Sequence, residues 1–574
     1  MKTVFGYLKP YFPRMFLGFC IKVVGTLSEL ALPYILSHIL KNVVVFEHPA
    51  KIVFWGGLMI VFAAMAWVFN ITANRKAAKV ASEFSEAVRR DLFAKTLRLS
   101  AAQTDRFTIA SLESRITTDT YHIHNFINRI QRLGVRAPIL LIGGIAITMF
   151  MDAYLSMVMV LILPVIFGIV LLIAKKGIPL YARVQRAVDG MIRVVREDVQ
   201  GIRVIKALSK APYEHCRYDV VNRALVSEEE KAGVVMGATN PVMTLLMNLG
   251  ITLVVALSAA RVTNHQTAPE TIIAFMQYFT QISTAMMTMT KMFAMYSKCN
   301  ASAKRVEEVL LCEDELAEQD PAAFPMGDPE QLIEFEQVRF SYEGKRNDLR
   351  NISFQLRRGQ HLGVIGATGS GKSTLVKLLL RFYDVCGGHV RIEGRDIRTI
   401  PREQLYARFG VALQNDFLYA DTIAENIRFG RNLDQEAVEE AARIAQAHDF
   451  ITAFPDGYGH LLAQKGANLS GGQKQRLFIA RAMAARPEIL ILDDSSSALD
   501  YKTEANLRKA LQAHCKGTTV ITVAQRVSAV KGCDLILVLD EGRIIGSGTH
   551  EVLLETCPEY REISDSQMGG AIID

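Results

Sequence analysis

Regular cysteine spacing is missing from this chain of 574 residues. The eight cysteines, scattered from Cys20 to Cys557, form no Cys-x-x-Cys pair. That argues against both a disulfide framework and a zinc site, and a reducing compartment suits the soluble half. Charge is missing from long runs before residue 300, whereas the remainder has ordinary α/β composition. A cleavable leader is missing too: the first apolar run follows MKTVFGYLKPYFPR with no small-residue cleavage site, so it reads as a retained anchor. No protease-like segment precedes that run, which disfavours peptide processing as a role. The formal net charge of +7 does not point to nucleic acid, because much of the basic excess flanks the apolar runs.

The apolar runs themselves come next. A helix crosses a bilayer with about 20 mostly apolar residues. Six segments meet this criterion, roughly 15–44, 52–72, 133–151, 154–174, 234–260 and 270–297. Long polar stretches of helical periodicity separate the second from the third and the fourth from the fifth. These connections are rich in Lys and Arg, whereas FMDAY and TNHQTAPE carry almost none. The positive-inside rule then puts both termini, the long connections and residues 298–574 in the cytoplasm, with the protein in the cell membrane. A soluble helical bundle would need alternating polar faces that these runs lack.

Ionisable residues inside the runs face a protein interior or a wet cavity. Lys22 and Glu29 lie seven apart on one helix face, and Lys291 stands late in the sixth run. Glu29 either lines a cavity that favours cationic cargo or meets a partner on another helix, with Lys22 snorkelling; the second reading is preferred. Met276, Met286, Met287, Met289, Met292 and Met295 crowd the sixth run. Such residues suit varied apolar ligands and serve equally as plain filler. Pro33 and Pro241 are candidate kinks.

The soluble half opens on the alternating LIEFEQVRFSYEG, as strands do. In HLGVIGATGSGKSTLVKLLLRFY an apolar strand runs into Gly366, Ala367, Thr368, Gly369, Ser370, Gly371, Lys372, Ser373 and Thr374, then a helix. This is G-x-x-x-x-G-K-[ST] in its required context. The glycines let backbone N–H groups surround phosphates, Lys372 reaches the β/γ oxygens, and the Ser373 hydroxyl suits magnesium. Downstream, ILILDDSSSALD delivers Asp493 and Asp494 from a buried strand. Asp493 is placed to hold magnesium and Asp494 to orient or deprotonate the attacking water.

Between these elements lies NLSGGQKQRLFIARAMAARPEILILDD. Its Leu469-Ser470-Gly471-Gly472-Gln473 resembles the signature of ABC transporters. With six spans ahead, the chain resembles a half-transporter of the ABC exporter class. The implied fold is a helical membrane domain (1–300), a linker (301–330) and an α/β P-loop nucleotide-binding domain (331–574). The resemblance implies that Tyr342 stacks on adenine, that Gln414 links magnesium to the membrane domain, and that Ser497-Ala498-Leu499-Asp500 is the D-loop. Segments 110–120 and 201–216 resemble those around the coupling helices, with Ala110 where glycine is usual. Two such chains close head to tail, each ATP-Mg2+ lying between one P-loop and the other's Ser470, Gly471, Gly472 and Gln473. The implied partners are a second half-transporter, the lipid bilayer and a small-molecule substrate.

Three residues depart from the family pattern. Asp494 replaces a glutamate, Gln525 in VITVAQRVSAV replaces a histidine, and Gln464 replaces a glutamate common before the signature. Aspartate is one methylene shorter, which sets its carboxylate over ~1 Å back, a misplacement able to cost on the order of 100-fold in rate. Gln525 donates a hydrogen bond but carries no positive charge. The expectation is a chain that binds ATP, hydrolyses it poorly at its own P-loop, and lends an intact signature to an unlike partner. That resembles heterodimeric bacterial multidrug exporters. Alternatives are a homodimer with slow hydrolysis, a lipid or peptide transporter, and a nucleotide-sensing membrane subunit. A soluble DNA-repair or translation ATPase is excluded by the spans.

Overall fold

The computed structural model describes residues 2–44, 49–263, 269–342, 344, 346–414, 416–495 and 497–568. Two compact units emerge: Met1–Leu97 with Ile109–Cys312, and Arg98–Thr108 with Glu313–Asp574.

The first unit is helical among its described residues. Each apolar segment falls on helix: Phe12–Ile39, Pro49–Thr96, Thr120–Met151, Ala153–Gln200, Thr239–Thr263 and Glu270–Leu310. By length and hydropathy, four helical stretches can cross a membrane: Lys2–Val43, Ala50–Thr96, Ile109–Met151 and Ala211–Thr263. Ala153–Ile169 is a shorter apolar stretch. Glu270–Leu310 is diluted by Thr280, Gln281, Thr284, Thr288 and Lys291. The polar connections continue two of these helices, so Pro49–Thr96 and Ala153–Gln200 each run 48 residues, about 72 Å at 1.5 Å per residue.

Leu30, Leu140, Met159, Tyr278, Phe279, Ile282 and Met286 pack into the core of this unit. Met286 belongs to this core, and Met287 and Met289, partly buried, pack against the core. Glu29 does have a partner on another helix: Arg136 Nε donates to its Oε2 at 3.1 Å. Lys22 does not snorkel. It is buried, and its ammonium donates to Asn74 Oδ1 at 3.2 Å, a nearby amide serving where water is out of reach. Segment 234–260 covers the end of Ala211–Gly237 and most of Thr239–Thr263, two helices joined at the single turn residue Ala238. Pro241 stands in the first turn of the new helix, where a missing N–H breaks no bond. Pro33 lies inside Phe12–Ile39, which continues past it.

The second unit holds ten strands: β1 (Gln331–Phe340), β2 (Leu349–Arg357), β3 (His361–Gly366), β4 (Gly387–Ile392), β5 (Arg395–Asp396), β6 (Phe409–Ala412), β7 (Ile489–Asp493), β8 (Thr519–Val523), β9 (Leu535–Asp540) and β10 (Arg543–Gly548). The larger sheet has the order β10-β9-β3-β8-β7-β6, parallel from β6 to β9 with β10 antiparallel at the edge. Central β3 and β7 read as unbroken apolar runs because both faces are covered. The smaller antiparallel sheet is β2-β1-β4-β5. Leu375, Leu378 and Leu379 of the helix after β3 join residues of both sheets in one core. Helices around Leu477 and Ile479 form a second.

One segment of this unit comes from far upstream. Ala101–Phe107 is a short helix opened by a capping box between Ser100 and Gln103. Gln103 Nε2 donates to the Glu313 carbonyl at 2.7 Å, and the Tyr383 hydroxyl donates to Asp105 Oδ2 at 2.7 Å. It lies just before segment 110–120, which forms the short helix Ile109–Ser114 and the π-helical stretch Arg115–Asp119 in the first unit. Segment 201–216 holds the short helix Ile202–Ala207 and a left-handed residue at Ser209.

Candidate nucleotide site

The parallel order sets the site. β3 and β7 flank β8, so the loops after all three open at one edge of the sheet, where the carboxyl ends of parallel strands gather ligands. A cleft of ≈ 320 Å³ lies there, lined by Thr368, Gly369, Gly371, Lys372, Ser373 and Thr374. Gln414, Asp493, Asp494 and Gln525 line it too.

The loop after β3 needs its glycines at two points. A Cβ on Gly366 would sit 2.1 Å from the Leu539 carbonyl oxygen. Gly371 adopts φ +103° as the N-cap of Lys372–Leu379, with no side-chain cap on the helix. The first N–H groups of that helix therefore remain for an anion. Lys372 is buried, and its ammonium donates to the Gly366 and Ala367 carbonyls at 2.8 Å. Burial lowers its pKa, opposed by the charges of Asp493 and Asp494. Ser373 Oγ donates to Asp493 Oδ1 at 3.2 Å.

Burial pushes the Asp493 carboxyl up from the usual range, with the Ser373 hydroxyl opposing. Burial raises Asp494 as well, and the Gln414 amide opposes that shift. Asp494 stands at φ +51°, its N–H tied to the Val523 carbonyl at 2.9 Å. This turns its carboxylate toward two amides: Gln414 Nε2 at 3.1 Å and Gln525 Nε2 at 3.5 Å, both donating to Oδ2. Gln414, Asp494 and Gln525 thus meet at one oxygen.

Tyr342 flanks the loop, its hydroxyl donating to Thr374 Oγ1 at 3.2 Å and its ring edge-on to Tyr383. The signature stands apart, with none of Ser470–Gln473 lining the cleft among the described residues. Ser470 caps Gly471–Met483: its Oγ accepts from Gln473 N, and its own N–H donates to Gln473 Oε1. Gln464 opens a short 3-10 turn ahead of this helix.

Sequence reasoning missed several residues. Gln475 on the signature helix donates to Ser497 Oγ at 3.1 Å and accepts from Ala498 N at 3.0 Å, which pins the D-loop. A Cβ on Gly472 would reach the Ala498 carbonyl oxygen at 3.0 Å, so the signature glycines allow that approach. Arg346, Asn347 and Asp348, before β2, and Glu541 and Gly542, between β9 and β10, also line the cleft.

The residues present fit a magnesium nucleotide. Ser370 Oγ is buried without a hydrogen-bond partner among the described residues, an unanswered polar atom in the phosphate loop. Ser373 and Asp493 offer hard oxygen donors of the kind magnesium prefers. When bound, the ion neutralises charge on the phosphate oxygens.

The geometry agrees with what related proteins show. Residues 15–286 match the ABC transporter transmembrane region and residues 349–497 match the ABC transporter family. The ABC transporter ATP-binding protein YfiB of Bacillus subtilis (strain 168) is 32% identical over 572 residues, 99% of each chain. The chain belongs to the ABC transporter family. This ABC transporter is also 29% identical over 563 residues to the multidrug efflux ATP-binding/permease protein Rv0194 of Mycobacterium tuberculosis (strain ATCC 25618 / H37Rv), covering 97% of this chain and 46% of Rv0194. A bacterial Atm1-family ABC exporter with ATP bound superposes with a TM-score of 0.81 at 25% identity, over 96% of this chain and 97% of that one. The transporter is therefore a multi-pass exporter with fused membrane and ABC ATPase domains. Such exporters work as dimers, and their ATPase domain implies ATP binding, typically with Mg2+.

Proposed function

We propose that this exporter is one half of a heterodimer that moves a small amphipathic or hydrophobic substrate out of the cell. Its own P-loop holds ATP and cleaves it slowly, while Ser470–Gln473 complete the partner's faster site. The single observation that carries this reading is the meeting of Gln414, Gln525 and the short Asp494 carboxylate at one oxygen. A carboxylate set back from the attacking water, beside a neutral amide where an imidazole could shuttle a proton, is poorly placed to act as a base. The signature helix, by contrast, has its capping box complete.

In this reading Lys372 and the loop residues Gly366–Thr374 hold the phosphates, Ser373, Asp493 and Gln414 serve the metal, and Tyr342 stacks on the base. Residues 1–300 cross the membrane six times, 301–330 link, and 331–574 bind nucleotide, with both termini cytoplasmic. Closure of the two nucleotide domains turns the pathway outward, and loss of the γ-phosphate contacts at the partner's site lets it reopen.

The test is ATPase activity of the purified chain alone and mixed with a half-transporter carrying Glu and His at the matching positions. Little turnover alone and clear turnover in the mixture are expected. Brisk hydrolysis and transport by the lone chain would overturn the proposal.

A further inference from the structure

The short helix Val527–Val530 follows Arg526, and an arginine side chain has no acceptor with which to cap a helix. Its guanidinium lies instead over the Tyr501 ring at 5.2 Å, with Nη1 3.5 Å from Glu504 Oε2. The first amide of the helix is answered from elsewhere in the domain. Val527 N donates to Gln567 Oε1 at 2.8 Å. The other half of the same side chain, Gln567 Nε2, donates to the Gln525 carbonyl at 3.0 Å. One side-chain amide, donor and acceptor together, thus grips the backbone on both sides of Arg526.

The helix that carries Gln567, Pro558–Met568, is itself anchored. Its Tyr560 is fully buried in a core with Val527, Val530 and Leu553, and the Tyr560 hydroxyl lies 2.8 Å from His550 Nδ1. Ser564, one turn further on, is buried as well. Gln567 is exposed, so its amide is a tether at the margin of this core and not part of its packing. It borders a cleft of ≈ 600 Å³ together with Asp494 and Gln525.

The Gln525 side chain points the other way, into the nucleotide cleft that it lines with Lys372, Ser373 and Asp494. Its Nε2 stands 3.5 Å from Asp494 Oδ2, at the outer limit of a hydrogen bond. So long a contact holds the amide weakly, and its direction follows from the backbone beneath it. We propose that Gln567 is a positioning residue for the nucleotide site: it fixes the backbone at 525–527 so that the Gln525 amide faces the γ-phosphate. This role rests on Gln525 meeting that phosphate in the proposed site, and not on which partner completes the dimer.

The test is the rate at which the full-length chain in nanodiscs releases two fluorescent nucleotides, methylanthraniloyl-ATPγS and methylanthraniloyl-ADP, each with Mg2+. Gln525→Ala should speed release of the triphosphate about fivefold, the effect of one hydrogen bond. Gln567→Ala, and Gln567→Met, which keeps the bulk of the side chain without its polar atoms, should each speed it about threefold. Because Gln567 acts through Gln525, the double variant Gln525→Ala with Gln567→Ala should release no faster than Gln525→Ala alone. The diphosphate, which lacks the γ-phosphate, should leave every variant at the rate of the unaltered chain. Additive effects in the double variant, or faster release of both nucleotides, would make Gln567 a general support of the fold and overturn the proposal. So would unchanged release from the Gln567 variants beside faster release from Gln525→Ala. If Gln525→Ala itself changes nothing, the contact given to Gln525 falls, and the role of Gln567 with it. Neither hydrolysis nor a second kind of subunit enters the measurement, so its failure is separate from failure of the unlike-subunits proposal.

Discussion

Two helices of the nucleotide domain start on glycine-rich sequence, and they start in opposite ways. Lys372–Leu379 follows a left-handed Gly371 and has no side-chain cap, so its amides await an external anion. Gly471–Met483 follows an extended Ser470, and Ser470 and Gln473 cap each other. The first helix start is completed by a ligand; the second is already complete as a rigid donor surface. A chain that lends a signature to a partner benefits from the second kind, because that surface must hold its form without nucleotide of its own.

Changes at each helix start can break that contrast. Lys372→Ala should have the largest effect, roughly a 100-fold loss in affinity for a fluorescent ATP analogue at this chain's site, since a charged phosphate contact disappears. Asp494→Glu combined with Gln525→His should raise ATPase activity of the purified chain, by up to about 100-fold if carboxylate position limits the rate. No gain would count against these two side chains as the limit on hydrolysis at this chain's P-loop. Ser470→Ala should lower ATPase of the mixed pair about fivefold while leaving ATP binding by this chain unchanged, the loss of one cap being worth about 1 kcal/mol. A fall in this chain's own nucleotide binding would erase the distinction between the two helix starts. Tyr342→Ala should have an equally small effect, a loss of about fivefold in affinity, as expected for one aromatic stacking contact.

What was legible in the sequence followed the range of the interactions. The loop Gly366–Ser373 is local: a strand, a turn and a helix within a few residues, and the structure has all three. The same holds for Ser470–Gln473, where the capping box is a spacing of three. Contacts between distant segments left no such mark. Glu29 announced a partner, but Arg136 lies 107 residues away and nothing local ties the two. Gln475 could have been suspected from its place one turn past the signature, yet its role depends on where the D-loop folds back. Asp348 and Glu541 reach the cleft only because β2 and β10 bring their loops there. The short helix at 101–107 was overlooked because its one local signal, the Ser100–Gln103 box, sits inside a long polar stretch.

The helix Pro49–Thr96 has a mechanical consequence. From Leu58 to Thr96 it contains neither glycine nor proline, a rod about 58 Å long. A tilt of about 5° at its upper end swings Thr96 by about 5 Å at that length. Its counterpart, Ala153–Gln200, carries Pro164 and Pro179 inside and can bend where the first cannot. Of the two arms, the stiff one carries displacement whole, and the jointed one has places to absorb it.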